Sequence, residues 1–208
     1  MQSKTPRLTN VAHIISGITN PCILALLTLF LIVLTESNGF PEFIGWFATI
    51  MVFFVAIPAV YVYIKTSGAD NRLKSLVEFT KYLKNNPAQI LVLALVLGLS
   101  CIVVLSLIKA SPILIATIVA LLAGSVVTAL FYLFYRVSFH LTGLVIIIIM
   151  VAQVWGPPYL FLLFTVPPVF WAKYHLRDHT IPQLFAGIAV ATVVSLLTLL
   201  MFGRLNAL

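Results

Sequence analysis

The chain has 208 residues, 62% of them hydrophobic and 8% charged, with a mean hydropathy of +1.16. That composition excludes a soluble globular domain and leaves a polytopic membrane protein. Twelve Lys and Arg against five Asp and Glu give a net charge of +7; in so apolar a chain the excess points to cytoplasmic loops and anionic headgroups, and no basic run interleaved with exposed aromatics supports a nucleic-acid partner.

A span needs about 20 apolar residues, so the length has room for roughly six or seven crossings in one integral membrane domain over residues 1–208. Lys4, Arg7 and His13 precede the first long apolar stretch, which is too long for a signal peptide, lacks a small-residue cleavage site and reads as a retained first span. Apolar runs at about 20–36, 42–65, 88–109, 112–135, 140–155, 157–173 and 180–203 give seven candidates. The expected fold is an all-α bundle of six to seven transmembrane helices. Short links such as Ser37 to Pro41, Ala110 to Pro112 and Trp155 to Pro158 suit antiparallel neighbours.

The one sizeable loop runs from Thr66 to Pro87, where Leu73, Leu76 and Val77 fall at helical spacing among Asp70, Arg72, Lys74, Glu78, Lys81 and Lys84. An amphipathic interfacial helix is expected there. Pro167 and Pro168 lie inside the sixth apolar run and predict a kinked or loosened helix. Trp46, Trp155 and Trp171 lie near span ends, as interface anchors would. Cys22 and Cys101 sit in apolar stretches without metal-ligand spacing and read as buried free thiols, so no metal site is expected.

Between Ala172 and Gly187 the apolar pattern breaks into AKYHLRDHTIPQLFAG, which places Lys173, His175, Arg177, Asp178 and His179 within seven positions. Parity gives this break company: Lys65 and Arg72 follow the second span, Arg136, Ser138 and His140 the fourth, and Lys173 to His179 the sixth. Three sequence-distant clusters therefore return to one membrane face. Ionisable groups at the membrane edge are functional candidates by default, although Ser138 has a plainer reading as the hydroxyl cap of the next helix. Two histidines among cations suggest acid/base and nucleophilic chemistry on a phosphate. His175 and Arg177 read more simply as interfacial groups, Gly143 and Gly187 as sites of close helix packing, and Glu36 and Glu42 as solvated loop ends on the opposite face.

The order and spacing resemble the lipid phosphate phosphatases of the type 2 phosphatidic acid phosphatase superfamily, which also includes the vanadium haloperoxidases. That family's motifs run Lys-x6-Arg-Pro, Pro-Ser-Gly-His and Ser-Arg-x5-His-x3-Asp. Here the chain reads Lys65-x6-Arg72-Leu73, Val137-Ser138-Phe139-His140 and Ala172-Lys173-x5-His179-x3-Gln183, within a phosphatase-like core of about 42–203.

The resemblance implies that Lys65, Arg72 and Lys173 neutralise phosphate oxygens and that Ser138 donates to one. It further implies that His179 attacks phosphorus to form a phosphohistidine, with His140 as acid and then base. Fixed cations stabilise such a transition state without a metal or other cofactor. Gln183 stands where the family has the aspartate that orients the nucleophile; a glutamine oxygen accepts a hydrogen bond but brings no charge, and Asp178 is the nearest candidate to supply one. Lys173 keeps the charge of the family arginine and loses its fork.

The expected activity is hydrolysis of a phosphomonoester or diphosphate lipid. The alternatives are a non-catalytic lipid-phosphate binding or transport protein, or a lipid phosphotransferase. With Lys65, Arg72 and Lys173 set aside, Lys4, Arg7, Lys74, Lys81, Lys84, Arg136 and Arg177 share the site's face against Lys109 and Arg204 on the other. The positive-inside rule then places the site on the cytoplasmic face, in the cell membrane.

Overall fold

The computed structural model describes residues 6–67, 87–132 and 134–203. All regular structure among these residues is helical. In chain order the α-helices are α1 (Pro6–Ile18), α2 (Pro21–Glu36), α3 (Phe40–Met51), α4 (Ile57–Ser67), α5 (Pro87–Leu107), α6 (Pro112–Tyr132), α7 (Phe139–Trp155), α8 (Val166–His175) and α9 (Ile181–Met201). A π-helical turn, Val52–Ala56, joins α3 to α4, and a 3-10 helix, Pro157–Thr165, precedes α8.

Four described helical stretches are long and apolar enough to cross a membrane: Arg7–Glu36, Phe40–Tyr61, Pro112–Tyr132 and Ile181–Met201. Leu91–Leu107 and Phe139–Trp155 are shorter apolar helices. Large side chains such as Val193, Leu196, Leu197, Leu200 and Met201 point outward on α9, as they do where lipid rather than water covers the surface. These properties are those of an integral membrane protein.

Proline marks where helices begin. Pro21, Pro87 and Pro112 open α2, α5 and α6, positions at which the missing amide hydrogen costs nothing because no carbonyl precedes it within the helix. The same rule revises the sixth apolar run. Pro167 and Pro168 fall in the first turn of α8 and do not kink it, while residues 157–165 wind as the 3-10 helix. The π turn before α4 has a similar cause: Pro58 cannot donate to a carbonyl four residues back, and widening the preceding turn accommodates the loss.

The chain divides into two compact units, Glu36–Ser111 and the segments on either side of it. In the smaller unit α3, the π turn, α4 and α5 pack together, with Trp46, Ile50, Leu97, Cys101 and Leu105 buried. Trp46 is therefore a core residue and not an interface anchor. Glu36 accepts a hydrogen bond from the Ser111 hydroxyl at 2.5 Å, and Glu42 accepts from the Asn38 amide at 2.9 Å. Glu36 thus ties two loop ends that are distant in sequence, and Glu42 closes the turn between α2 and α3.

The larger unit is built around α7, which packs on α6, α9 and the 3-10 helix. Eleven of its residues, from Leu141 to Gln153, are buried, which is why its sequence is apolar on every face. Leu141, Leu144, Ile148, Val169 and Leu184 form a core cluster, with Ile15, Leu24 and Phe170 packed against it. Helix α1 lies on α8. Cys22, expected buried, is exposed at the start of α2, while Cys101 is buried.

Helices α7 and α9 touch through Gly187. A Cβ there would lie 2.9 Å from the Ser138 carbonyl oxygen and 3.3 Å from Thr142 Oγ1. The Thr142 hydroxyl lies 3.0 Å from the Ser138 oxygen and 3.2 Å from the Gly187 oxygen, so one side chain ties the two main chains together. Gly187→Ala should therefore destabilise the fold by about 1–3 kcal/mol, because backbone atoms cannot step aside as a flexible side chain would. Gly45, with nothing within 4 Å of a Cβ, supplies the contrast: Gly45→Ala should be neutral or stabilising by up to about 1 kcal/mol. Thermal unfolding of both variants in detergent tests the pair, and equal midpoints would contradict this account of the α7–α9 contact.

Candidate functional site

At the end of the larger unit where α7 and α9 begin and α8 finishes, the second and third sequence clusters come together. His140, in the first turn of α7, is coupled electrostatically to Lys173, Asp178 and His179, and the main chain of Ser16 on α1 borders its ring. His179 sits in the α8–α9 link, between the main chain of Arg136 and the side chain of Gln183. Its Nδ1 is enclosed and makes no hydrogen bond among the described residues. The Arg136 side chain turns away, its Cζ 6.0 Å from the centre of the Tyr132 ring.

The link owes its shape to the end of α8. Arg177 adopts a left-handed conformation, φ 59°, with its amide donating to the Tyr174 carbonyl at 3.0 Å and the Asp178 amide donating to the Lys173 carbonyl at 3.2 Å. These two bonds form a Schellman motif. Such a motif usually places an apolar pair across the turn; here the pair is ionic. Lys173 Nζ lies 3.1 Å from Asp178 Oδ2, the lysine side chain 8% exposed and the aspartate 45%. Asp178 thus contributes its charge to Lys173 directly and to both histidines through space.

Two helices begin beside each other here, and their amino ends differ. Helix α9 carries a full capping box, in which the Thr180 hydroxyl accepts from the third helical amide and the Gln183 side-chain oxygen accepts from the Thr180 amide at 2.9 Å. The Gln183 oxygen is therefore engaged by main chain as well as lying against the His179 ring. Ser138 occupies the N-cap position of α7, yet its hydroxyl makes no capping bond. Its Oγ is wholly buried and unpartnered among the described residues. A buried hydroxyl without a partner is costly, and a helix amino end with free donors is suited to an anion.

Of the remaining sequence candidates, Lys65 lies on α4 in the smaller unit, and Arg72 lies outside the described residues, as does the expected interfacial helix around it. His175 stacks on Trp171, ring centres 5.2 Å apart, a partnership that its four-residue spacing on α8 permits. An apolar groove of about 450 Å³ runs along α8 and α9, lined by Val166, Phe170, Trp171, Tyr174, Phe185 and Ile188.

Sequence reasoning did not foresee Ser16, Thr142 or the main chain of Arg136. The last two lie within two positions of a singled-out residue, but backbone carbonyls carry no sequence signature. Among the described residues no group of three or more His, Cys, Asp and Glu is arranged to hold a metal ion. No protein-family model, curated protein or solved structure matches the chain.

Burial holds the His179 imidazole below its ordinary value of 6.5; the Arg136 main chain, the Asp178 carboxylate and the Gln183 side chain oppose that shift, and Lys173 reinforces it. A depressed folded-state value means that the unfolded chain takes up a proton first as pH falls. Stability associated with His179 is then complete above 6.5 and is lost progressively below it, down to the folded-state value. The expected outcome is a melting temperature that declines on acidification below pH 6.5, with a shallower decline in His179→Gln. Parallel profiles for the two proteins would contradict the burial of a neutral His179.

Proposed function

We propose that the protein is a metal-independent membrane lipid phosphate phosphatase, a divergent relative of the type 2 phosphatidic acid phosphatases, acting through a phosphohistidine. The observation that carries this reading is the unused Ser138 hydroxyl at the uncapped amino end of α7, in one cluster with His140, His179 and the buried Lys173. A donor, a helix amino end and a cation serve the phosphate oxygens. The two imidazoles serve the reacting bonds.

In the proposed sequence a ring nitrogen of neutral His179 attacks phosphorus while the ester oxygen departs with a proton from His140. A phosphorus–nitrogen bond forms and a phosphorus–oxygen bond breaks. His140, now neutral, takes a proton from water as that water attacks phosphorus and releases His179. The lowered proton affinity of His179 supports the first step, since an unprotonated ring keeps its lone pair at neutral pH. Lys65 and Arg72 would add cations, as the family resemblance implies. The apolar groove along α8 and α9 supports a lipid substrate, because its lining suits a hydrocarbon chain.

The proposal places six or seven crossings in the bilayer, with the shorter apolar helices α5 and α7 among them. It puts the site on the cytoplasmic side, where Arg7, Arg136 and Arg177 would obey the positive-inside rule. A second reading, lipid-phosphate binding without turnover, is favoured by one observation. The Gln183 oxygen beside His179 is shared with the α9 cap and brings no charge to the ring.

Purified protein in detergent and chelator should release inorganic phosphate from a short-chain phosphatidate or an isoprenyl diphosphate. His179→Ala should reduce that rate by about a thousandfold or more, as loss of a nucleophile does elsewhere. Undiminished release by the variant would refute the mechanism. Binding of the lipid with no release and no trapped phosphohistidine would establish the second reading instead.

A further inference from the structure

The Lys173–Asp178 pair is an odd feature for a phosphate site, since it leaves its most buried cation already neutralised. The two partners are unequally placed: the lysine is almost fully enclosed and the aspartate is close to half exposed. Removing the partner of an enclosed charge is expensive unless another anion takes its place. An exposed carboxylate, by contrast, regains most of its hydration on turning outward. The asymmetry makes Asp178 the member that can leave, provided a second anion arrives.

Backbone geometry holds Asp178 ready to return. The Schellman turn fixes its amide on the Lys173 carbonyl at 3.2 Å, so the carboxylate moves through side-chain rotation alone. The turn survives the exchange. The cost of exchange depends on the charge of the newcomer, because a single negative charge must be displaced from Lys173. A phosphomonoester carries about −1.5 to −2 near neutral pH. A phosphodiester carries one negative charge and gains nothing over the carboxylate already there.

We propose that Asp178 is an internal anion that occupies the Lys173 position in the free protein and selects phosphomonoester dianions over phosphodiesters by requiring its own displacement. The inference rests on the phosphate-site reading and names the substrate class within it. It also gives the site a way to ignore the phosphodiester headgroups that surround it in a bilayer. The charge at the exchange is that of Lys173, with the His140 and His179 rings beside it. The Ser138 hydroxyl supplies the neutral donor.

The test uses the full chain in detergent near pH 8, titrated with dioctanoyl phosphatidate, dioctanoyl phosphatidylglycerol and inorganic phosphate, with wild type, Asp178→Asn and Asp178→Glu compared by calorimetry. Wild type should prefer phosphatidate to phosphatidylglycerol by about tenfold or more, the scale of one well-placed charge. Asp178→Asn should tighten phosphatidylglycerol more than phosphatidate and reduce that preference by about tenfold, whereas Asp178→Glu should keep it. Tighter binding of phosphatidate than of inorganic phosphate assigns the dianion to a lipid; equal binding assigns it to a soluble phosphate, and the selection by charge stands in both cases. An unchanged preference in Asp178→Asn, or weakened phosphatidate binding in a variant that melts like wild type, overturns the role of Asp178 alone. Absence of binding by every anion to all three proteins overturns the phosphate site itself, and this inference with it.

Discussion

The close approach of α7 and α9 at Gly187 is the contact on which the candidate site depends. Ser138 and His140 belong to the first, and the link bearing Asp178 and His179 leads into the second. Their relative placement is set by a helix pair near enough for Thr142 to reach both main chains. In lipid there is little hydrophobic force between helices, so small residues and hydroxyl bonds must supply the attraction. A glycine and a threonine do so here, immediately beneath the polar end.

Above that contact the electrostatics follow from scarcity of water. The enclosed Lys173 amine has a carboxylate 3.1 Å away, and His179 lies in an environment that disfavours a positive charge. The neighbouring helix starts divide the remaining work. One is closed by its own side chains, through Thr180 and Gln183, and the other keeps its serine hydroxyl unspent. Symmetry of sequence, a hydroxyl residue before each helix, does not produce symmetry of chemistry. The glutamine three residues after Thr180 closes its helix, while Leu141, three after Ser138, has no group to contribute.

Hydropathy made the all-helical membrane architecture legible, because lipid requires every backbone group to be paired within its own segment. Parity and spacing foresaw that His140, Lys173 and His179 would meet. What the sequence concealed has identifiable causes. Pro167 and Pro168 lie in an apolar run whose length suits a span, and nothing in hydropathy reveals that the preceding residues wind as a 3-10 helix. Trp46 carries the composition of an interface anchor but the surroundings of a core residue. Gln183, expected beside His179, lies against that ring and also serves a cap, a second role that its spacing from Thr180 allowed. The involvement of Ser16 and Arg136 comes from carbonyl groups common to all residues, which no pattern can single out.

Helix α1 reads in sequence as a modest basic lead-in to the first long apolar stretch. In the folded chain it packs on α8, buries Ala12 and brings the Ser16 main chain to His140. The orientation of that imidazole is thereby entrusted to a segment more than a hundred residues away in sequence. During synthesis α1 emerges well before its partner helix, so the histidine can acquire its setting only after α8 has been made. The polar end of this bundle is a product of long-range assembly, and a chain lacking α1 would carry the residues of the site without the wall that aims them.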